Sequence, residues 1–597
     1  MKKIRLPALT LLASLAITGC TIGKSSESNY SGELTLSYES ISLRVNQTVK
    51  VDATVTSDSS VSPTILYLSS DSNIAKVNEK GYVTGVGEGT ARIGAFTSDG
   101  VLYDYLDVTV NGNSREDSAI KVNQTNVNYH SIDTKSNVTG SGEQKVLVLP
   151  VYFPDDSVKA TEENRQFIET SFFGSNEECG WRSFKGYYEV ASYDKLHYSG
   201  YVADEWYKTT YTKQQVLDDQ MTSQYIAEAA LKDFKKKNPD FDFKPYDTND
   251  DKFIDSLYII YASDYVIKDG QTTNLWGYRW SVYNPTLSGY KASAFSWFSL
   301  KFLKETSSYG GVPKDGSNTR IIIHEHGHML GLPDYYDYGY SGIDYVGSFD
   351  MQSSNTFDWN AHSKYSVGWV NPYYVDEDEL KEKGEETITL QPSAFNGDCL
   401  IIPTSKWNGT PFDEYLILEL FNPELGNNEY DYNYSTYSSI GNTGYGVKIY
   451  HVDARIFDYK RDGMSYTWSK VDDFKKLSDY RFMLNDNNAL SYEGHSQYAK
   501  YYLGGGDYVN YHYLHLLQKG NVSTFDKEGD YRHEWNQSDL WQSGDTFSIG
   551  EHTGYTNYGT NFFYKQDRFN DDSVLNYGIT FDEVTPDYAT LTFKYFA

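Results

Sequence analysis

The tightest constraint on this chain is a short run near its middle, Ile321-Ile322-Ile323-His324-Glu325-His326-Gly327-His328-Met329-Leu330-Gly331-Leu332-Pro333-Asp334. His324 and His328 are four residues apart, so on a helix both imidazoles rise from one face and can reach one ion. Glu325 stands beside them, placed to contact water held by that ion. Gly331 permits a sharp turn at the helix end, and Pro333 prevents the helix from resuming. The chain can then fold back and offer Asp334 as a third ligand, with Asp337 near enough to compete. His326 points elsewhere on the helix and reads as a surface or packing residue. Such a donor set suits a zinc ion with an open position, where bound water reaches a pKa of about 7. Glu325 can take the proton and later deliver it to a leaving amine.

Composition removes several alternatives. A length of 597 residues gives room for about four domain-sized units, with three as the natural reading. Lys plus Arg number 52 against 82 Asp plus Glu, a formal charge of −30. A nucleic-acid partner needs a basic field to displace counterions from phosphates, so none is expected. Anionic membrane surfaces are disfavoured for the same reason. Tyrosine stands out at 56 residues against 29 Phe and 11 Trp, as suits half-buried sheets with wide polar surfaces. Three cysteines, Cys20, Cys179 and Cys399, cannot build a disulfide framework.

Cys20 has another role. Lys2, Lys3 and Arg5 precede an apolar stretch from Leu6 to Ile17, closed by Thr18-Gly19-Cys20. Such a leader is an export signal, too short to span a membrane as a mature helix. Small residues directly before a cysteine predict a lipoprotein signal over 1–19, with Cys20 acylated as the new N-terminus. The expected location is the bacterial cell surface, lipid-anchored or released, with membrane contact only through that anchor.

Patterning divides the rest. Residues 20–32 are small and polar, a flexible spacer. Residues 33–111 hold short alternating runs separated by turn residues, the signature of a small β-sandwich. Residues 112–140 are polar and read as a linker or a pro-segment. Over 141–372 helical and strand patterns alternate, predicting an α/β domain with buried strands at Val146–Phe153 and Leu257–Tyr261. QQVLDDQMTSQYIAEAALKDF reads as helical. Residues 373–597 return to strand patterns (TITLQP, EYLILELF, GVKIYHV, ATLTFKYF), a β-rich region whose Tyr- and Asn-rich part from about 425 to 545 does not divide further.

Two resemblances follow. Ser69-Ser70-Asp71-Ser72-Asn73-Ile74-Ala75-Lys76-Val77 and Gly81-Tyr82-Val83-Thr84-Gly85-Val86-Gly87-Glu88-Gly89-Thr90-Ala91 resemble the bacterial immunoglobulin-like group 2 domain, which implies a stalk or adhesion module. HExxHxxGxxD is a metzincin-like pattern with Asp where His is commoner. His324 to Asp337, with Val346-Gly347-Ser348-Phe349-Asp350-Met351 and His362 to Val370, resembles the immune-inhibitor-A family of secreted bacterial metallopeptidases. Upstream, Ser183 to Tyr193 (SFKGYYEVASY) and Trp276-Gly277-Tyr278-Arg279-Trp280 match in kind and order, and a weaker echo continues at Tyr415–Glu419 and Gly444–His451. The resemblance covers about 140–372. It implies zinc held by His324, His328 and Asp334, Glu325 as general base, and Met351 forming an apolar turn beneath the metal. Members of the family often begin with an inhibitory pro-segment, whereas an Ig-like domain stands in front here.

A second constellation is Asp247-Thr248-Asn249-Asp250-Asp251-Lys252-Phe253-Ile254-Asp255. Asp247, Asn249, Asp251 and Asp255 match positions 1, 3, 5 and 9 of a calcium loop. Lys252 replaces its glycine and Tyr258 its final glutamate, so the EF-hand is incomplete; the family likeness supports calcium. His451 and Asp453 lie on a strand pattern and read as structural.

The expectation is a multidomain protein: a small Ig-like β-sandwich, an α/β metzincin-like zinc peptidase domain and a β-rich C-terminal region. Its activity would be zinc-dependent endopeptidase cleavage of extracellular proteins or peptides, with calcium as a second ion. The alternative is a cell-surface adhesin or glycan-binding protein with an accessory or inactive peptidase domain.

Overall fold

The computed structural model describes residues 32–596 except 39, 45–47, 58–63, 79–80, 99, 112–137, 249, 283–284, 306–315, 338–343, 435–442, 463–464, 471–480, 484, 486, 488–511, 521–522, 526–534, 551–556, 559–562 and 564–566. The expected signal with Cys20, nearly all of the spacer, most of the linker and Asn249 lie outside the described residues. The chain divides into two compact units, Met1–Ala119 and Ile120–Ala597.

The described residues of the first unit form only strands and the turns between them. Ser40–Arg44, Tyr103–Asn111, Gly89–Thr97 and Ile65–Ser69 form one four-stranded sheet in that order, and Thr48–Lys50, Tyr82–Gly85 and Ala75–Val77 a three-stranded one. Leu43, Val49, Val83, Ile93, Leu106 and Val108 fill the space between them. The period-two alternation read from the sequence supplies these inward residues.

The second unit begins with a six-stranded sheet. Its main path runs Leu196–Val202, Gly142–Tyr152, Leu257–Tyr261, Ala294–Ser299 and Tyr278–Ser281. All neighbours on that path are parallel except the last pair, which is antiparallel and leaves Tyr278–Ser281 on the edge. A parallel sheet is covered on both faces, so its strands read as continuous apolar runs. Val146, Val148, Tyr258 and Ile260 face one layer with the helices Glu162–Phe173, Phe184–Ala191 and Arg320–Met329. Leu147, Leu149, Val151, Leu257 and Ile259 face the other, against Met221–Lys237. The long helical run breaks at Asp219, whose carboxylate accepts from Met221 N–H and starts a second helix.

Two five-stranded sheets follow. Leu400–Pro403, Glu414–Phe421 and Gly446–Asp453 form the centre of one; Glu385–Leu390, Ala589–Tyr595 and Tyr577–Val584 belong to the other. Leu416, Leu418, Val447 and Ile449 meet Phe547, Ile579, Leu591 and Phe593 between them. The opposite face of the first sheet packs Tyr415, Ile417, Tyr450 and Val452 against Tyr335, Val346, Phe349 and Phe357. The β-rich region therefore lies directly under the chain that follows the HExxH helix. Cys179 and Cys399 are both buried and unbridged. No helix among the described residues is long and apolar enough to cross a membrane.

Candidate metal centre

The helix Arg320–Met329 carries the motif and ends at Leu330. Gly331 takes φ +91°, a left-handed conformation natural to glycine, and Leu332 N–H closes back onto the Gly327 carbonyl. The reversal brings Asp334 over the helix face. Its Oδ1 lies 2.9 Å from His324 Nε2 and 3.5 Å from His328 Nε2. The two imidazole planes stand at 88° with centroids 4.9 Å apart. Among the described residues, these three form the one group of His, Cys, Asp or Glu whose ligand atoms gather within 4.8 Å. Asp337 is buried but does not join it.

The outer contacts orient the donors. His324 Nδ1 donates to the Met351 carbonyl at 2.7 Å, and His328 Nδ1 to the Leu332 carbonyl at 2.7 Å. With each Nδ1 turned to a carbonyl, each Nε2 faces the Asp334 carboxylate, the orientation that metal-binding histidines need. Burial works against charge on His324, but the hydrogen bond and charge of Asp334, aided by Glu325, push it up to about 9. The site thus favours positive charge. Two imidazole nitrogens and one carboxylate oxygen are a fitting donor set for zinc.

Glu325 is half-buried, and its Oε2 accepts the Arg279 backbone N–H at 3.0 Å. Arg279 lies on the edge strand, so the strand's outer margin runs beside the carboxylate. Burial pulls the Arg279 guanidinium down to about 10, opposed by Glu325. His326 is wholly buried, the packing residue of the two readings. Its nitrogens lie against Tyr258 Oη at 2.7 Å and Tyr198 Oη at 2.5 Å, and burial holds it down to about 3.

Met351 meets the site through its carbonyl, while its side chain is buried in the apolar cluster with Met329 and Leu330. The side chain against His328 is Gln352, with Nε2 3.4 Å from Nδ1 and Oε1 accepting Trp359 Nε1 at 3.0 Å. Gly327 makes this approach feasible, because a Cβ there would lie 2.1 Å from Gln352 Oε1. The SFKGYYEVASY run braces the same region: Tyr188 Oη donates to Ile323 O at 2.8 Å and Tyr187 Oη to Phe357 O at 2.7 Å. Sequence reasoning passed over Arg279, Gln352 and these two hydroxyls. The runs that hold Arg279, Tyr187 and Tyr188 were visible, but the contacts they make were not.

The acidic segment behaves differently. Asp247 accepts from the backbone N–H of Asp251 and Lys252, each at 3.0 Å, and Asp251 from Phe253 N–H at 2.8 Å. Asp255 accepts Thr248 N and Oγ1, both at 2.8 Å. Burial, then the charges of Asp247 and Asp251, push Asp255 up to about 6 against those hydrogen bonds. His451 and Asp453 lie on the strand Gly446–Asp453, bonded to Glu414 and Arg455.

Comparison with known proteins follows the same division. Residues 136–365 match the family described as Immune inhibitor A peptidase M6, catalytic domain, and residues 33–108 match the Bacterial Ig-like domain (group 2). Pre-pro-metalloprotease PrtV of Vibrio cholerae serotype O1, in two strains, is 27% identical over 311 residues. The alignment takes 42% of this chain and 33% of PrtV, so the chain spans about a third of the length of these curated relatives. The crystal structure of the S-layer protein rSbsC(31-844) overlaps 15% of this chain and 14% of its own at 17% identity and a TM-score of 0.13, too little to carry an argument.

Proposed function

We propose that this chain, which carries an M6 peptidase catalytic domain behind a group 2 Ig-like domain, is a zinc-dependent endopeptidase acting on extracellular proteins. The observation that carries the reading is the convergence of His324 Nε2, His328 Nε2 and Asp334 Oδ1 beside a Glu325 held by a main-chain donor. His324, His328 and Asp334 would hold the ion. When bound, zinc supplies Lewis acidity, which activates water near neutral pH and polarises a carbonyl. Glu325 then serves as general base, taking the proton at a carboxylate oxygen and passing it to the leaving amine. The Arg279 N–H fixes one of its oxygens, which leaves the other to face water. An extended peptide laid along the outer margin of the edge strand Tyr278–Ser281 would bring its carbonyl carbon to this point. The metzincin-like assignment is part of the same reading.

Cleavage of unfolded casein by the purified chain, lost on treatment with a chelator and restored by zinc, is the expected result. Zinc-independent cleavage, or none from a zinc-loaded chain, would overturn it. The adhesin or glycan-binding alternative requires that Glu325 be dispensable, although it is retained and positioned here.

Calcium at Asp247, Asn249, Asp251 and Asp255 belongs to the proposal as a stabilising second ion. Surface attachment through acylated Cys20 belongs to it too. Cys20→Ala should release the protein from the membrane fraction or block its processing, since two or three acyl chains give lasting attachment. Unchanged partition, with an unacylated wild-type N-terminus, would sink the anchor.

A further inference from the structure

The metal-centre residues belong to two pieces of chain. The helix Arg320–Met329 and its turn carry His324, Glu325, His328 and Asp334, while the segment from Asp350 to Asn360 supplies the Met351 carbonyl and the Gln352 amide beneath them. One carboxylate touches both. Asp431, on the helix Asn428–Tyr434 of the C-terminal region, takes Arg320 Nη2 on Oδ1 and the Phe357 backbone N–H on Oδ2, the latter at 2.6 Å. Both ionic side chains are fully buried.

Each end of this bridge is placed against a local preference. Arg320 opens the HExxH helix, where the helix dipole disfavours a cation, and that helix has no acidic residue in its first turn and no side-chain cap. A buried guanidinium also needs a paired anion. Asp431 supplies it, while the Trp181 and Tyr430 rings lie 4.4 Å and 5.5 Å from the guanidinium carbon. At the other end Phe357 takes φ +58°, a left-handed conformation rare for an aromatic residue. Asn428 Oδ1 accepts the next amide, Asp358 N–H, at 2.9 Å. Asp431 lies outside the residues that match the catalytic-domain family.

We propose that Asp431 is a positioning residue of the metal centre: its two oxygens set the distance between the helix that carries the ligands and the segment that orients them. The proposal rests on the zinc reading of that centre. The catalytic machinery is thereby completed by the C-terminal β-rich region.

The test uses the full chain. Asp431→Asn strands a buried guanidinium and can fail to fold, so the pair Arg320→Met with Asp431→Leu is made beside it. Apolar residues of similar volume are often tolerated at a buried ion pair. The double variant is expected to melt cooperatively yet lose about tenfold or more in kcat, with KM within about twofold, and to release zinc to a chromogenic chelator at least about tenfold faster. These are the effects of disturbing groups that orient metal ligands. Phe593→Leu, in the far core, serves as the control for lost stability and should keep wild-type kcat. A folded double variant with wild-type kcat and zinc release would reduce the pair to core filling. If the wild-type chain binds no zinc, the proposed function fails on its own. The bridge is then read by amide hydrogen exchange in the metal-free chain: faster exchange in both 320–329 and 350–360 of the double variant supports it, and unchanged exchange overturns it.

Discussion

The HExxH turn and the acidic turn at 247–255 look alike in the sequence, each a cluster of ligand-type side chains at ion-binding spacing, yet they fold to opposite ends. In the first, a helix holds the donors and carbonyls engage the far side of each imidazole, so the near nitrogens converge with Asp334. In the second, short loop side chains sit within reach of their own backbone, and Asp247, Asp251 and Asp255 each accept a local N–H on at least one oxygen. Aspartate competes well for nearby amides.

The sharpest way to break this contrast is to remove a converging donor. His328→Ala should lose both zinc and cleavage, because three protein ligands are the minimum for a catalytic site. Asp334→Ala should do the same, and Asp337→Ala should keep its zinc; the reverse pattern, measured as metal per chain, would move the third ligand to Asp337. Glu325→Gln comes next. It should stay zinc-loaded and lose at least about a hundredfold in peptide cleavage, since a positioned proton carrier contributes about 10²–10⁴-fold. A folded, zinc-loaded Glu325→Gln enzyme as active as wild type would falsify the mechanism.

Smaller effects sharpen the other side. Calcium should raise the melting temperature of wild type and much less that of Asp251→Ala, because a cation relieves crowded carboxylates. Equal shifts would assign the ion elsewhere. Without calcium, Asp255 is an acid whose folded pKa, pushed up to about 6, exceeds its unfolded value. Its contribution is present in full below the unfolded pKa and is lost as pH rises through about 6. Asp255→Asn cannot ionise, so its melting temperature should gain on wild type from pH 4 towards pH 8. A difference that does not change with pH would mean that Asp255 ionises as freely folded as unfolded.

Much of the architecture was legible because its causes are local. Buried runs such as Val146–Val151 and Leu257–Tyr261 became central parallel strands, and the alternating runs of the N-terminal unit became two small sheets. The break at Asp219 escaped notice because its capping carboxylate competes with a helical period that continues through it. Of the two readings left open for His326, surface or packing, the structure takes packing, and the choice depends on Tyr258 and Tyr198, far away in the chain. The C-terminal region read as strands, but that pattern does not say which chain covers the second face of its first sheet.

By itself, the sequence determined that two imidazoles share a helix face, that Glu325 stands between them and that the chain reverses at Gly331, since helix period and glycine's conformational freedom act within a few residues. Tertiary structure alone decided which main-chain donor holds Glu325, which side chain lies against His328, and which carboxylate ties the helix to the segment beneath it. Those partners stand 46, 24 and 111 residues away along the chain. Contacts of that span arise from sheet order and layer packing, which no local pattern encodes.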